Sequence, residues 1–240
     1  TPIKSSAASD VYKRQVHIVV DLEMNAIPAR CQKERQYAKM EIIQIGAVAL
    51  NDKYEEIDSY STYVKPQYDD KVEEFYTHLT GITTKMISDA PDFKTAIDDF
   101  FLWIEHFEGE IEVVSWSMSD RQQIFQEARL KEYSFDTFES YVLDQWTDLQ
   151  LEFDRLEFMD HRTSLADACS AAGLSMEGKL HNGLDDARNT AHLLHILRDD
   201  DLYEKTFGKV YSYQEKSRPT TIGDVCLLYT SDAADDLIGV

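Results

Sequence analysis

Val16-His17-Ile18-Val19-Val20-Asp21-Leu22-Glu23 is the stretch that decides how the rest of the chain is read. Its first residues form a short, largely β-branched apolar run, which predicts a buried strand over 16–20. Two carboxylates follow where that strand should leave the core. At positions i and i+2 of a strand, Asp21 and Glu23 point to the same face. Two acids side by side at the end of an apolar strand repel each other and lose hydration, and a bound cation removes both costs. An ordinary solvated strand end is the plain alternative, and the pair alone does not choose between the two.

Working outward, residues 42–50 (IIQIGAVAL) read as a second strand, and 59–64 as a third stopped by Pro66. Strands in succession joined by short connections suggest an antiparallel meander. The polar stretch from Asn25 to Lys39, with Pro28, reads as a loop. Thr83 or Thr84 could cap a short helix. Asp92 to Phe107 places Phe93, Ile97, Phe100, Phe101 and Ile104 at helical spacing. Residues 111–116 predict a fourth strand, a helix begins at Ser119 or Asp120, and 141–146 read as a fifth strand. Ser164 to Ala172 reads as a helix closed by Gly173, and 184–197 as the last strong helix. Strands first, then strands alternating with helices, predict an α/β fold with a mixed sheet.

Composition narrows the function. The chain has 240 residues, 43% hydrophobic and 29% charged, which suits one large domain or two small ones and excludes wholesale disorder. No apolar run reaches the roughly 20 residues that span a bilayer, and no secretory signal pattern opens the chain, so no membrane is expected. Cys31, Cys169 and Cys226 make neither a disulfide framework nor a C-x-x-C knuckle, which points to a reducing, cytoplasmic setting. The formal charge of -21 excludes a broad basic nucleic-acid surface. Most of that acidity reads as a solvated surface, but clustered carboxylates could hold divalent cations and so meet an anionic substrate. Residues 26–40 are one of the few basic stretches, with Arg30, Lys33, Arg35 and Lys39. They could grip phosphates or form an ordinary solvated loop.

The two ends read differently. Residues 5–15 are SSAASDVYKRQ and residues 226–235 are CLLYTSDAAD. A DNA that encodes the first encodes the second on its complementary strand. We therefore read 1–15 and 226–240 as translated sequencing adapter, 16–210 as the domain, and 211–225 as its C-terminal tail. The first end carries +2 and the last -3, so a charge of -20 belongs to the residues between them.

Two further clusters carry acids. Asp120 follows the apolar VVSW stretch through Ser117-Met118-Ser119, where a helix N-cap is the alternative reading. His181-Asn182-Gly183-Leu184-Asp185-Asp186-Ala187-Arg188-Asn189-Thr190-Ala191 sets a histidine before a helix that opens on two aspartates. His181 and Asp186 converge if the loop bends at Gly183; otherwise the aspartates cap and the histidine is solvated.

Taken in order, Asp21, Glu23, Asp120, His181 and Asp186 resemble the DEDDh 3′–5′ exonuclease family, with its RNase T and ERI1/KapD-like members. Residues 41–48 (EIIQIGAV), Leu79-Thr80-Gly81-Ile82-Thr83 and the HNGLDDARNTA stretch strengthen the likeness, which spans about residues 16–200. Met24-Asn25 departs from the Ala-Thr or similar pair of many relatives. The resemblance implies an RNase-H-like fold with a mixed five-stranded sheet flanked by helices. It implies two divalent cations, Mg²⁺ or Mn²⁺, whose preference for hard oxygen ligands the carboxylates satisfy. Asp21 would bridge them, Glu23 and Asp186 would complete the nucleophile-side ion, and Asp120 would hold the leaving-group side. His181 would be the general base, since an ordinary histidine pKa of about 6.5 suits neutral pH. The substrate would be the 3′ end of single-stranded RNA or DNA, and the product a nucleoside 5′-monophosphate. Backbone near Leu22 and Met24 would cradle the terminal nucleotide, with Met24 or Leu79 packing on its base. A non-catalytic nucleic-acid-binding module of the same fold is the competing expectation.

Overall fold

The computed structural model describes residues 15–217. Apart from Gln15, both stretches read as adapter lie outside the described residues, as do Cys226 and the last part of the expected tail. The limit set between 210 and 211 falls inside a helix, Asp200–Ser217.

The centre is a five-stranded sheet in the order β3-β2-β1-β4-β5, built from β1 (Gln15–Ala26), β2 (Met40–Leu50), β3 (Glu56–Tyr63), β4 (Glu110–Ser115) and β5 (Trp146–Asp148). β1 pairs antiparallel with β2, and β2 with β3, while β1–β4 and β4–β5 are parallel. This is the mixed sheet expected. Ile18, Val20 and Leu22 alternate onto one face, where they meet Phe93, Ile97, Phe100 and Ile104 of helix α3 (Phe93–Glu105) in the main core. Asp92 caps α3 by accepting from the Thr95 amide at 2.9 Å. Asp21 and Glu23 fall on the opposite face by strict alternation.

β1 is longer than predicted, and the reason fixes the site. Its parallel pairing to β4 stops at Val20 opposite Ser115. Its antiparallel pairing to β2 runs on to Ala26 opposite Met40. From Asp21 onward, one edge of β1 has therefore lost its strand neighbour while the other keeps the chain extended. A bulge sits at the same place: Glu23 faces Gln44 and Met24 faces Ile42, so Ile43 is the extra residue. Ile43 turns into a second small core with Val72, Ile82 and Ile87.

The predicted strand over 141–146 is corrected. Thr137–Asp144 is a helix (α5), and β5 begins only at Trp146. Asp136 and Glu139 form a full capping box, each side chain accepting the other's amide at 2.9 and 2.8 Å, and this reciprocal pair starts the helix. Helices α1 (Glu74–Thr80) and α6 (Leu149–Leu156) and the Asp200–Ser217 helix were not expected. Residues 27–39 form the predicted loop, with one 3₁₀ turn over Glu34–Gln36. The remaining helices are α2 (Thr84–Ile87), α4 (Ser119–Leu130), α7 (Leu165–Ala171) and α8 (Gly183–Arg198). Among the described residues, those from Arg198 on form a separate unit, within which the Tyr203 and Phe207 rings meet at a tilt, 5.3 Å between centroids.

α4 is locked beside the start of β2 by polar groups. Glu127 accepts the Ile42 amide at 2.8 Å, and Gln123 donates to the Met40 carbonyl at 2.9 Å. Buried Lys131 bridges Glu127 at 2.7 Å and Glu41 at 2.8 Å, and Glu41 also receives the Gln67 and Tyr68 amides. Removing the cation would leave two buried carboxylates unbalanced. Lys131→Met should therefore lower unfolding stability by about 3–5 kcal/mol, read as a shift in the urea midpoint. An unchanged midpoint would show that the triad does not hold α4 in place.

Candidate active site

Where β1 outruns β4, the Leu22 amide has no strand to pair with. Asp120 takes it: its Oδ1 accepts from Leu22 at 3.1 Å. Asp120 reaches this point because β4 ends at Ser115 and the chain turns through Ser117 and Ser119, whose hydroxyls lie 2.5 Å apart. It stands in the first turn of α4 rather than at the cap, which is Met118 and makes no side-chain capping bond. The capping alternative for Asp120 is thus replaced by a contact across the sheet.

Asp186 arrives from the other side. α8 opens at Gly183, whose amide donates to Gln44 Oε1 at 3.1 Å. A Cβ on Gly46 would lie 2.1 Å from the Gly183 carbonyl carbon, and one on Gly183 would lie 3.0 Å from the Asp21 carbonyl oxygen. Two glycines thus let helix backbone touch strand backbone, and the Gln44-to-Gly46 signature in the second strand is explained by this contact. Asn182 Oδ1 accepts the Asp185 amide at 3.3 Å, so the helix is capped without either aspartate. Asp185 instead accepts the Lys179 amide at 2.8 Å and steadies the preceding loop. Asp186 Oδ2 accepts the His181 amide at 2.8 Å. Of the two aspartates, Asp186, five residues after His181, is the one that lies with Glu23 and His181, while Asp185 faces the preceding loop.

His181 sits in the left-handed region, at φ 61°. That conformation is uncommon for a side-chain-bearing residue, and the loop is tied down on both sides of it. Asn189 binds both backbone groups of Glu177, at 2.9 and 3.1 Å. Lys179 Nζ donates to the Thr80 carbonyl at 3.1 Å, at the end of α1. Gly81, at φ 77°, leaves room for that ammonium, since a Cβ there would lie 1.9 Å from it. The L-T-G-I-T segment is thus the anchor of the histidine loop. Lys179 has no sequence signature of its own and was missed.

Ligand atoms of Glu23, His181 and Asp186 all lie within 4.8 Å of one another. Asp21 and Asp120 complete the group electrostatically. Burial, then Asp120, Glu23 and Asp186, hold the Asp21 carboxyl well above its ordinary range. Glu23 is pushed up to about 8 by burial, then by Asp186 and Asp120, with Lys179 opposing. Burial raises Asp120 to about 7 against the Leu22 amide. Asp186 is raised by burial, against the His181 amide. Asp21 keeps partial access to solvent, so the cluster is open on one side. Asp186 Oδ1 is buried without a hydrogen-bond partner. Crowded hard oxygens and an orphaned carboxylate oxygen fit divalent cations.

The expected substrate contacts separate. Leu22 is core, and its amide is already used by Asp120. Met24 is partly buried against the main core. Leu79 is 37% exposed on α1, and Phe75, one turn earlier, is 67% exposed. Phe75 stands at i, i+4 spacing to Leu79, so the two apolar side chains share one face of α1.

A model of the RNase T exonuclease family matches residues 18–194. The chain belongs to this family, the DEDDh 3′–5′ exonucleases. It is 29% identical to ERI1 exoribonuclease 2 of Xenopus laevis over 73% of this chain and 27% of that protein. It is 26% identical to the 3′–5′ exonuclease Snipper of Drosophila melanogaster over 85% of this chain and 77% of that one. The chain spans 27% to 41% of the length of its ERI1 exoribonuclease 2 relatives. Among solved structures, the nuclease domain of 3′hExo, a DEDDh family member bound to rAMP, superposes with a TM-score of 0.63. That match has 22% identity over 80% of this chain and 96% of that domain. Exonuclease I of E. coli in complex with single-stranded DNA gives 0.59 at 13% identity, over 82% and 43% of the two chains. These likenesses establish the RNase-H-like fold. Among the described residues no helix is long and apolar enough to cross a membrane.

The raised carboxyls set a sign for stability. The folded protein keeps protons that the unfolded chain releases above about pH 4, its ordinary carboxyl range. Metal-free stability therefore falls as pH rises from about 4 through about 8, where Glu23 loses its proton in the folded state as well. Glu23→Gln should raise the thermal midpoint of the metal-free protein at pH 8 by at least about 2 °C. It should also shrink the further rise on adding Mn²⁺. A lower metal-free midpoint would contradict the mutual repulsion.

Proposed function

We propose that this chain is a metal-dependent 3′–5′ exonuclease acting on the 3′ end of single-stranded RNA or DNA and releasing nucleoside 5′-monophosphates. The observation that carries the reading is the convergence of Asp21, Glu23, Asp120 and Asp186 around His181 at the unpaired edge of β1. Family membership supports the hydrolase class, and the donor set supports two divalent cations, Mg²⁺ or Mn²⁺. When bound, such a pair neutralises the phosphate and stabilises the attacking and leaving oxygens.

The residues divide the work. Asp21, held in the sheet, would hold the cations jointly with the other three carboxylates. Glu23 and Asp186 would hold charge on the side of the attacking water, and Asp120 on the side of the leaving group. The His181 ring takes a proton from the attacking water, and the bond from its own amide to Asp186 ties it to the helix that brings that carboxylate. Leu79, with Phe75 beside it, packs on the terminal base, while β1 backbone near Leu22 and Met24 cradles the terminal nucleotide. Residues 16–210 are read as the catalytic domain, with 211–225 as its tail and adapter at both ends. Free Cys31 and Cys169 are in keeping with a reducing, cytoplasmic setting.

The test is a gel assay on 5′-labelled single-stranded RNA and DNA with Mg²⁺ or Mn²⁺. A ladder shortening from the 3′ end is expected, and EDTA should abolish it. Asp21→Asn should slow it at least about a thousandfold, the rate equivalent of several kcal/mol. His181→Asn should cost about a hundred- to ten-thousandfold. Binding without cleavage by the folded, metal-loaded protein would turn the reading to a binding module.

A further inference from the structure

We infer that the β1–β2 connection and the end of α4 form a track that carries the backbone of a single-stranded nucleic acid toward the carboxylate centre. This rests on the nuclease reading and names the surface that holds the strand behind its 3′ end.

Charge singles out the region. The chain carries a formal -21, so most of its surface repels a polyanion. Residues 27–39 break the pattern, with Arg30, Lys33, Arg35 and Lys39 against a single acid, Glu34. Arg30, Lys33 and Lys39 are exposed. Arg35 is a strut, its guanidinium donating to the Ile27 carbonyl. Arg30 leans on the Tyr68 carbonyl at 3.4 Å and on Asp69 at 3.6 Å, yet its side chain stays 67% exposed. Arg129, from the end of α4, adds an exposed cation 5.3 Å from the Tyr37 ring centroid. Tyr37 itself is 48% exposed.

Two independent routes lead from the site to this patch. Along β1, Ala26 lies three residues past Glu23, or about 10 Å. Along α4, Arg129 lies nine residues past Asp120, or about 14 Å. The bonds from Gln123 to Met40 and from Ile42 to Glu127 clamp α4 to the start of β2, so both routes end at the base of the same loop. The loop is ordered in advance: Ile27 donates to the Lys39 carbonyl at 2.9 Å, Tyr37 to the Glu34 carbonyl at 2.9 Å, and Ala38 is buried. Lysines and arginines suit phosphates, and an exposed tyrosine backed by a guanidinium suits any base by stacking. A strand with its 3′ end among the carboxylates would cross this patch a short run of nucleotides upstream.

The test compares a labelled single-stranded 12-mer with a dinucleotide too short to reach the track, using metal-loaded enzyme. Lys33→Gln/Lys39→Gln should raise KM for the 12-mer about tenfold with kcat unchanged. It should also reduce the slope of log KM against log salt by about 1.4, at about 0.7 per lost phosphate contact. Tyr37→Ala should raise KM for the 12-mer at least about fivefold without changing the salt slope. The dinucleotide should be hydrolysed at the wild-type rate by every variant. Unchanged KM and slope on the 12-mer would overturn the track, and so would an equal loss on the dinucleotide. If the wild type cleaves neither substrate, the nuclease reading falls instead. Fluorescence anisotropy of the same 12-mer then decides the track alone, by whether the Gln variants weaken binding.

Discussion

Four carboxylates are pressed together where β1 continues past the end of β4, and their mutual repulsion is the constraint the surrounding structure has to hold. Asp21 is raised by burial and then by the other three, and Glu23 by burial and then by Asp186 and Asp120. Left alone, such a group would spread or stay protonated. It is kept close by backbone amides: Leu22, left free where the sheet is interrupted, binds Asp120, and His181, in the loop before α8, binds Asp186. The same event, the loss of β4 as a partner, exposes the acids and supplies a donor that steadies one of them. Destabilisation here is tolerable because the main core on the far face of β1 is large and fully buried.

The second support is steric. Asp186 reaches Glu23 only because α8 begins in contact with β2, and that contact exists only because Gly46 and Gly183 lack side chains. Gln44 then fixes the axial position of the helix through the Gly183 amide. Lys179 spans the remaining gap, tying the histidine loop to the glycine turn after α1 while lowering the proton affinity of Glu23. Residues far apart in sequence are therefore parts of one clamp: the second-strand signature, the L-T-G-I-T turn and the late histidine motif each hold another.

That interdependence explains what could be read in advance. Asp21 and Glu23 were legible because strand alternation is strict, and Asp186 was separated from Asp185 by spacing from His181. The length of β1 was not, since it depends on β2 continuing where β4 stops, a property of the pairing rather than of either strand. Residues 141–146 misled because Tyr141, Val142, Leu143 and Trp146 suit a strand locally, while the deciding capping box, Asp136 with Glu139, lies upstream. Lys179 carries no motif and acts through a backbone carbonyl far away in sequence, which no local pattern signals.

The net acidity of the chain then takes on a meaning that composition could not supply. Fully ionised, the four clustered carboxylates would strongly repel a phosphodiester. Burial pushes Asp120 up to about 7 and, with Asp186 and Asp120 beside it, Glu23 up to about 8, so this pair holds protons near neutral pH. On the proposed reading, a divalent cation entering the cluster would displace those protons, so its affinity should rise with pH over this range. A pair of such charges would balance the four carboxylates and let the centre accept an anion. Metal loading would then have two consequences: it would relieve the repulsion that weakens the fold, and it would open the site electrostatically to the proposed substrate.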